Sequence, residues 1–391
     1  MKFLRILLPL ALCTQWAIVA QAGGPAAKPA VPSYLITNDD LPPKIPFGST
    51  FFTFAIDGTP QNPYKVNLGG VGSGGGYFSA NRVSVLQSST DACAYLALGA
   101  SGEVGAVDIQ ALQDIGNFSA LSTDSGIDNG IGLANNGTYL YAAFSSSNTV
   151  GTFAILPGCN LNFLGDISPI GKYAGNVKGM AVHGGVMVIA YGDGSIESFN
   201  ISAGIPVSNG DLQVATGYFS SRYPAGVDIT EDGHFAIFGD QSTTTTVEVS
   251  DISSGKLART ALYNVGSAGD AASVYLSPDE TLLYIANTSV GKITAAFFNA
   301  ATGKVSPGCT SATLKGFDKG WTFLSSPATE LNTGTGSVLY LAEYGPASGM
   351  AVVDVTSSGG KCTLKEASTS PVTDPNSTTL LSIGVYPARQ F

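Results

Sequence analysis

The chain has 391 residues, of which only 12% are charged, with a formal net charge of −10 and a pI near 4.6. No basic run stands out, which excludes the cationic face needed to neutralise nucleic-acid phosphates or to hold an anionic membrane surface. The 49 glycines, with plentiful Ser and Thr, describe a turn-dense β protein and argue against a helical enzyme.

Residues 1–22 carry Lys2 and Arg5, then a long apolar run, then the small-x-small triplet Ala20-Gln21-Ala22. This pattern predicts a secretory signal peptide. Residues 23–33 are rich in Pro, Ala and Gly and predict a flexible linker. No later apolar segment approaches the roughly 20 residues needed to span a bilayer.

From Tyr34 onward one short apolar motif recurs. It begins at Tyr34 (YLITND), Cys93 (CAYLALG), Thr138 (TYLYAAF), Gly185 (GVMVIAY), Gly233 (GHFAIFG), Thr281 (TLLYIAN) and Ser337 (SVLYLAE). The last six copies are separated by 45, 47, 48, 48 and 56 residues. Four-stranded propeller blades repeat roughly every 40 to 50 residues.

The stretch Asp270–Gly308 displays one whole unit. Val274–Leu276, Leu282–Ala286 and Lys292–Phe298 are apolar runs, and a fourth run starts at Lys304. Ser277-Pro278-Asp279-Glu280, Asn287-Thr288-Ser289 and Ala301-Thr302-Gly303 punctuate them. Short β-branched and aromatic runs bounded by such residues read as strands joined by hairpins.

The copy at Tyr34 lacks a preceding strand, and the apolar run Leu380–Tyr386 lacks a sheet. Together they complete one blade. The expected fold is therefore an all-β, seven-bladed β-propeller of four-stranded antiparallel blades spanning residues 34–391. Its closing blade takes Leu380–Tyr386 as the innermost strand, beside Tyr34–Asn38, Thr50–Ile56 and Tyr64–Leu68. Closure of this kind leaves only short, protected edges.

Four cysteines follow the leader. Cys159, Cys309 and Cys362 are placed in turns between third and fourth strands, and Cys93 between a first and a second strand. Both turn types belong to one face of the disc. Only neighbouring blades come within a disulfide's roughly 4.4–6.8 Å Cα separation. Cys93–Cys159 and Cys309–Cys362 are the expected pairs, and four free thiols are the alternative.

There is no phosphate loop, dinucleotide fingerprint, zinc motif or nucleophile elbow, so no cofactor and no metal are expected. Gly70–Gly76 (GVGSGGG) reads as an inter-blade loop. The two histidines, His183 and His234, fall at first-to-second turns, on the cysteine face. Five Asn-x-Ser/Thr triplets occur, at Asn117, Asn136, Asn200, Asn287 and Asn376. The opposite face collects the loops entering each first strand, including Lys178 and Lys319, and those leaving each second strand, including Asp39 and Asp193. The leading ligand-binding residues there are Arg222 and Trp321, immediately before first strands, with Asp240 and Glu343, immediately after second strands. Arg222 would draw an anionic group by a two-pronged, charge-assisted pair.

The phrases LSPDETLLYIANTSVGKITAAFFNAATGKV and ITEDGHFAIFGD resemble the lactonase-like seven-bladed propellers. That family includes propeller-type 6-phosphogluconolactonase, carboxymuconate cyclases and YVTN-repeat surface proteins. The resemblance implies the fold along the whole repeat region. Enzymes of the family carry His and Arg at a first-strand entry. The matching segment here is Arg222–Asp228, with Ala225 and Gly226 where an imidazole would stand.

Three functions are consistent with these residues. The first is an exported propeller, extracellular or periplasmic, that binds a small or extended ligand at its channel mouth without His-dependent catalysis. The second is a lactone hydrolase or related lyase using a carboxylate. The third is a structural or adhesive surface propeller. The expected partner is a small lactone- or carbohydrate-like molecule, with no nucleic acid and no membrane span, and the chain is expected to be a monomer.

Overall fold

A computed structural model describes residues 33–39, 46–71, 81–120, 131–144, 147–169, 177–213, 226–240, 244–269, 271–317, 323–332, 337–344, 349–376 and 380–387. The predicted signal peptide and all but the last residue of the linker lie outside them. No helix among the described residues is long and apolar enough to cross a membrane.

Seven four-stranded sheets form from the compact unit Pro32–Phe391. Each is antiparallel and runs from an inner strand through a second and third to an outer one. Blade 1 orders its strands Leu380–Tyr386, Tyr34–Asp39, Pro46–Phe54 and Pro60–Val71. Blades 2 to 7 begin with inner strands Val83–Gln87, Ile131–Asn135, Val177–His183, Val227–Ile229, Ala271–Leu276 and Phe323–Asn332. Their second strands are Ala92–Leu98, Tyr139–Phe144, Val186–Tyr191, Phe235–Asp240, Leu282–Asn287 and Ser337–Tyr344. Every recurring motif of the sequence is thus a second strand. Each inner strand packs beside the next, and the last beside that of blade 1, so the ring is closed.

The blades hold together through apolar faces that alternate along each strand, because successive side chains leave opposite faces. In blade 6, Leu283 and Ile285 pack with Ile237 and Val249 of blade 5. Tyr284 and Ala286 pack with Leu339 and Leu341 of blade 7. Turn chemistry ends the strands. In blade 6 the Ser277 hydroxyl donates to Asp279 (2.7 Å) and accepts the Leu282 N–H (2.9 Å). Blade 5 repeats this with Thr230, Asp232 and Phe235. Gly233 there takes φ of +70°, a conformation costly for other residues.

Closure follows the expected pairing, with Tyr34 opposite Tyr386 and Asn38 opposite Ser382. The third strand of blade 1 starts earlier than expected, at Pro46, and stops at Phe54, short of Ile56, while the outer strand Pro60–Val71 reaches beyond both expected ends, because their ladder runs from Pro46–Val71 to Phe54–Pro60. A polar latch adds to the ladder. Asp374, in the segment leading to the final strand, accepts the hydroxyls of Thr37 (3.0 Å) and Thr50 (3.2 Å).

Both disulfides, Cys93–Cys159 and Cys309–Cys362, are formed. Three placements differ: Cys93 lies inside the second strand Ala92–Leu98 of blade 2, and Cys309 and Cys362 lie inside outer strands, while Cys159 is in the expected turn. Cys309 lies late in the outer strand Lys304–Thr310 of blade 6, paired with Ala295, and not in the turn. The bridge therefore joins two outer strands, since Cys362 belongs to Lys361–Glu366 of blade 7. Gly70 likewise belongs to an outer strand and not to a loop, while residues 72–80 lie outside the described residues.

Removing residues 379–391 deletes the buried side chains of Leu380, Ile383 and Val385 and bares the edge of Tyr34–Asp39. The truncated chain is expected to lose cooperative thermal unfolding near the full-length midpoint. A melt that overlays that of the full-length protein would refute closure as the source of stability.

Candidate functional site at the channel mouth

The second strands end at the face where inner strands begin. Aligned by their ladders to the third strands, the seven ends place Asp39, Leu98, Phe144, Tyr191, Asp240, Asn287 and Glu343 at one equivalent position. Alternation directs this position toward the preceding blade. Ala236 and Phe238 face blade 4, Leu283 and Ile285 face blade 5, and Leu339 and Leu341 face blade 6. Blades 2 and 3 fill the position with apolar Leu98 and Phe144. Blades 4 to 7 fill it with Tyr191, Asp240, Asn287 and Glu343, each at most 1% exposed. The ring thus has a polar arc and an apolar arc at a single level.

Each member of the polar arc has its own surroundings. The Tyr191 hydroxyl donates to Glu197 (2.8 Å), whose other oxygen accepts from Ser208 (2.6 Å). Burial first, then Glu197, pushes the Tyr191 phenol well above its ordinary range. Asn287 reaches across to Thr245 of blade 5, with the Gly269 carbonyl and the Thr245 and Thr294 hydroxyls 2.8–2.9 Å from its amide.

Glu343 is the outlier. It is fully buried, and neither carboxyl oxygen has a hydrogen-bond partner. Gly316 lies directly against the carboxyl, which leaves no room for a side chain there. The segment bearing Gly316 is tied to blade 7. The Lys315 N–H donates to Glu366 (2.9 Å), and its ammonium donates to the carbonyls of Ala367 (2.8 Å) and Ser370 (3.3 Å). Desolvation, with a lesser contribution from Glu366, pushes the Glu343 carboxyl up to about 8. It is therefore mostly neutral at pH 7 and can act as a proton donor.

Asp240 and Glu343 were expected just after second strands. Both lie inside them, because Asp240 pairs with Thr246 and Glu343 with Gly349. Lys178 was expected in an entering loop. It is instead the extra residue of a bulge in the inner strand of blade 4, between Val177 and Gly179, and is 5% exposed. Arg222, Trp321 and Lys319 lie outside the described residues.

Sequence reasoning missed Arg82. It stands immediately before the inner strand of blade 2, where blade 5 has Gly226, and is only 2% exposed. Its carbonyl accepts the Ala97 N–H (3.0 Å), and its own N–H donates to Ser382 (3.2 Å). The equivalent pairing position in five other blades holds Ser382, Gly132, Gly179, Ser273 and Ser325. Arg82 is thus a cation in a ring of small residues.

The histidines lie at the other end of the strands. His234 immediately precedes the second strand that Asp240 ends, and its Nδ1 is 3.0 Å from Asp232. Of the segment Arg222–Asp228 that the resemblance singles out, residues 222–225 lie outside the described residues, and position 226 is closed by packing. A Cβ on Gly226 would lie 2.5 Å from Cα of Ser273 and 2.6 Å from N of Val274, both backbone atoms of blade 6. Among the described residues no group of three or more His, Cys, Asp or Glu converges to hold a metal.

No protein-family model matches the chain, and no curated protein sequence matches it. Solved structures do. A candidate 6-phosphogluconolactonase from Bacteroides fragilis aligns over 90% of this chain and 98% of its own, at 13% identity and a TM-score of 0.65. One from Bacteroides uniformis aligns over 91% and 100%, at 14% identity and 0.65. The periplasmic gluconolactonase of Pseudomonas aeruginosa aligns over 90% and 99%, at 13% identity and 0.64. The chain is a seven-bladed propeller with the lactonase-like fold, and likeness at this identity defines the fold alone.

Glu343 sets a pH dependence. Its carboxyl ionises near 4.5 in the unfolded chain and near 8 in the folded one. The folded state therefore holds the extra proton between these values, and stability falls as pH rises through that window. Glu343→Gln cannot ionise and is expected to remove this slope. The gap between variant and wild type should shift in the variant's favour by roughly 2 to 4 kcal/mol from about pH 5 to about pH 9. Parallel urea-melt pH profiles would contradict the assignment.

Proposed function

We propose that this protein is an exported lactonase-like propeller that binds a small or extended lactone- or carbohydrate-like ligand at its channel mouth, without His-dependent catalysis. The polar arc of Tyr191, Asp240, Asn287 and Glu343 carries this reading. Four consecutive blades give polar groups to one level at the face where entering loops meet the second-strand ends. Ligand sites combine apolar walls with a few polar groups, and Leu98 and Phe144, also buried, supply the apolar arc at the same level. The absence of an imidazole at the channel mouth has a physical basis, because backbone packing closes position 226 and both histidines occupy the other face. Arg222 and Trp321, with Arg82 at the level of the small-residue ring, are the proposed anchors for an anionic group and a sugar-like face.

Export is supported by the two disulfides, which persist in oxidising compartments, and by the leader-like residues 1–22. One structural neighbour is named as periplasmic. The acidic balance supports a small-molecule partner over a nucleic acid, and a monomeric chain.

A lactone hydrolase or lyase is the second reading, and Glu343 is the observation that favours it. A buried carboxyl with its pKa raised to about 8 is a proton-transfer group matched to neutral pH.

The test is calorimetry with a panel of aldonates and aldonolactones. Arg222→Ala is expected to weaken binding of the best ligand by roughly 1.5 to 3 kcal/mol, the range for hydrogen bonds to charged groups, with little change in melting. Lactone hydrolysis is expected to stay at the uncatalysed rate. Catalysed hydrolysis that disappears in Glu343→Gln would establish the second reading instead. Unchanged affinity in Arg222→Ala, or a ligand on the His183 and His234 face, would reject the channel mouth.

A further inference from the structure

We infer that Asn200 is an attachment site for an N-linked glycan, an inference that rests on the proposed export. The sequence offers five Asn-x-Ser/Thr acceptors, and the folded chain separates them. Asn287 is fully buried between Thr245 and Thr294, so no sugar fits. The amide nitrogen of Asn117 donates to the Leu68 carbonyl (2.8 Å) in a half-buried contact between blades. That of Asn136 donates to the Gly184 carbonyl (3.2 Å), and that of Asn376 to the Thr50 hydroxyl (3.2 Å).

Asn200 differs from all four. It is exposed and ends the third strand of blade 4, Ile196–Asn200. Its Oδ1 accepts the N–H of Ser202, the acceptor's own third residue, at 2.9 Å. This turn anchors the exposed side chain through its oxygen, and among the described residues Nδ2 has no hydrogen bond.

A second observation concerns what surrounds it. Six large apolar side chains are exposed among the described residues, and four of them belong to blades 3 and 4: Leu156, Leu164, Ile205 and Val207. Val207 is the cross-strand partner of Asn200, so the two side chains leave the same face of the sheet. Val207 is 63% exposed. Ile205 extends the patch toward blade 3, where a Cβ on Gly165 would lie 3.3 Å from it. The outer strand of blade 4 is only two residues long, Val207–Ser208, and Asn209 and Gln213 continue its backbone bonding to Ser198 and Ile196. Exposed apolar edges are sites of self-association unless something blunts them. A glycan on Asn200 stands beside Val207 and covers this edge.

The sugar donor is a polyprenyl-diphosphate-linked oligosaccharide. The Asn200 Nδ2 attacks the anomeric carbon, forming a C–N bond. The C–O bond to the diphosphate breaks, the diphosphate leaves with the electron pair, and Nδ2 loses one proton.

The experiment is secretion of the full chain from a yeast or insect cell, followed by enzymatic deglycosylation in ¹⁸O-water and peptide mapping. The expected result is ¹⁸O-labelled aspartate at position 200 and none at 287. Asn200→Gln and Ser202→Ala should each lose the mass of one glycan, and deglycosylated protein should bind more hydrophobic dye and scatter more light. Secreted protein with an unmodified Asn200 would overturn the inference, as would a glycan on Asn287. Retention in the cell with an uncleaved leader would overturn the export reading alone. The same chain behind a heterologous leader then decides Asn200 by the same mapping.

Discussion

The fold depends on one ladder, that between Leu380–Tyr386 and Tyr34–Asp39. A four-stranded blade has two apolar faces and can bury neither alone. Each blade is therefore stable only between neighbours, and the row of blades is stable only when its ends meet. The two ends meet by sharing a sheet, so the last strand contributes its backbone to blade 1 and its side chains Leu380, Ile383 and Val385 to the interface with blade 7. The Asp374 latch to Thr37 and Thr50 reinforces the same seam with groups that lie far apart in sequence.

Ring packing also shapes what the centre can do. Inner strands approach closely where their residues are small. Gly226 lies against the backbone of Ser273 and Gly384 against Val83, and Gly239 of a second strand lies against the Ala271 carbonyl. Close approach leaves no space for a large side chain at such positions, so a bulky polar residue at that level marks an exception. Arg82 and Lys178 are two such exceptions, and a bulge releases Lys178 from the regular register. The polar arc is built by another means. It uses the terminal register of the second strands, where apolar packing between blades gives way to hydrogen bonding. Three of its members answer burial differently: Tyr191 through Glu197, Asn287 through two threonines, and Glu343 by keeping its proton.

The sequence carried the fold because blade formation is local. Period-two apolar runs and turns such as Ser-Pro-Asp-Glu or Thr-Glu-Asp-Gly act within a few residues, and the apolar second-strand run recurs seven times. The headless front and the unpaired tail made closure a matter of strand counting. The disulfide partners followed from blade adjacency alone. Cys309 and Cys362 were misplaced because outer strands have weak apolar alternation, which blurs the boundary between turn and strand.

The site was only partly legible. Asp240 and Glu343 were visible as acids at strand ends, yet their burial and their orientation toward the preceding blade arise from contacts with residues dozens of positions away. Nothing in the Tyr340-Leu341-Ala342-Glu343 run reveals that Gly316 closes over the carboxyl, because that contact is made by a segment of another blade. Arg82 was passed over because its burial in a ring of small residues is set by the other blades and leaves no mark in its own stretch of sequence. The same holds for the five glycan acceptors, identical as triplets and separated only by burial. The sequence by itself determined blade number, closure and cysteine pairing, since those follow from local pattern and counting. Tertiary structure alone decided which polar groups are buried, which stay protonated and which face solvent, since desolvation is a property of everything packed around a group.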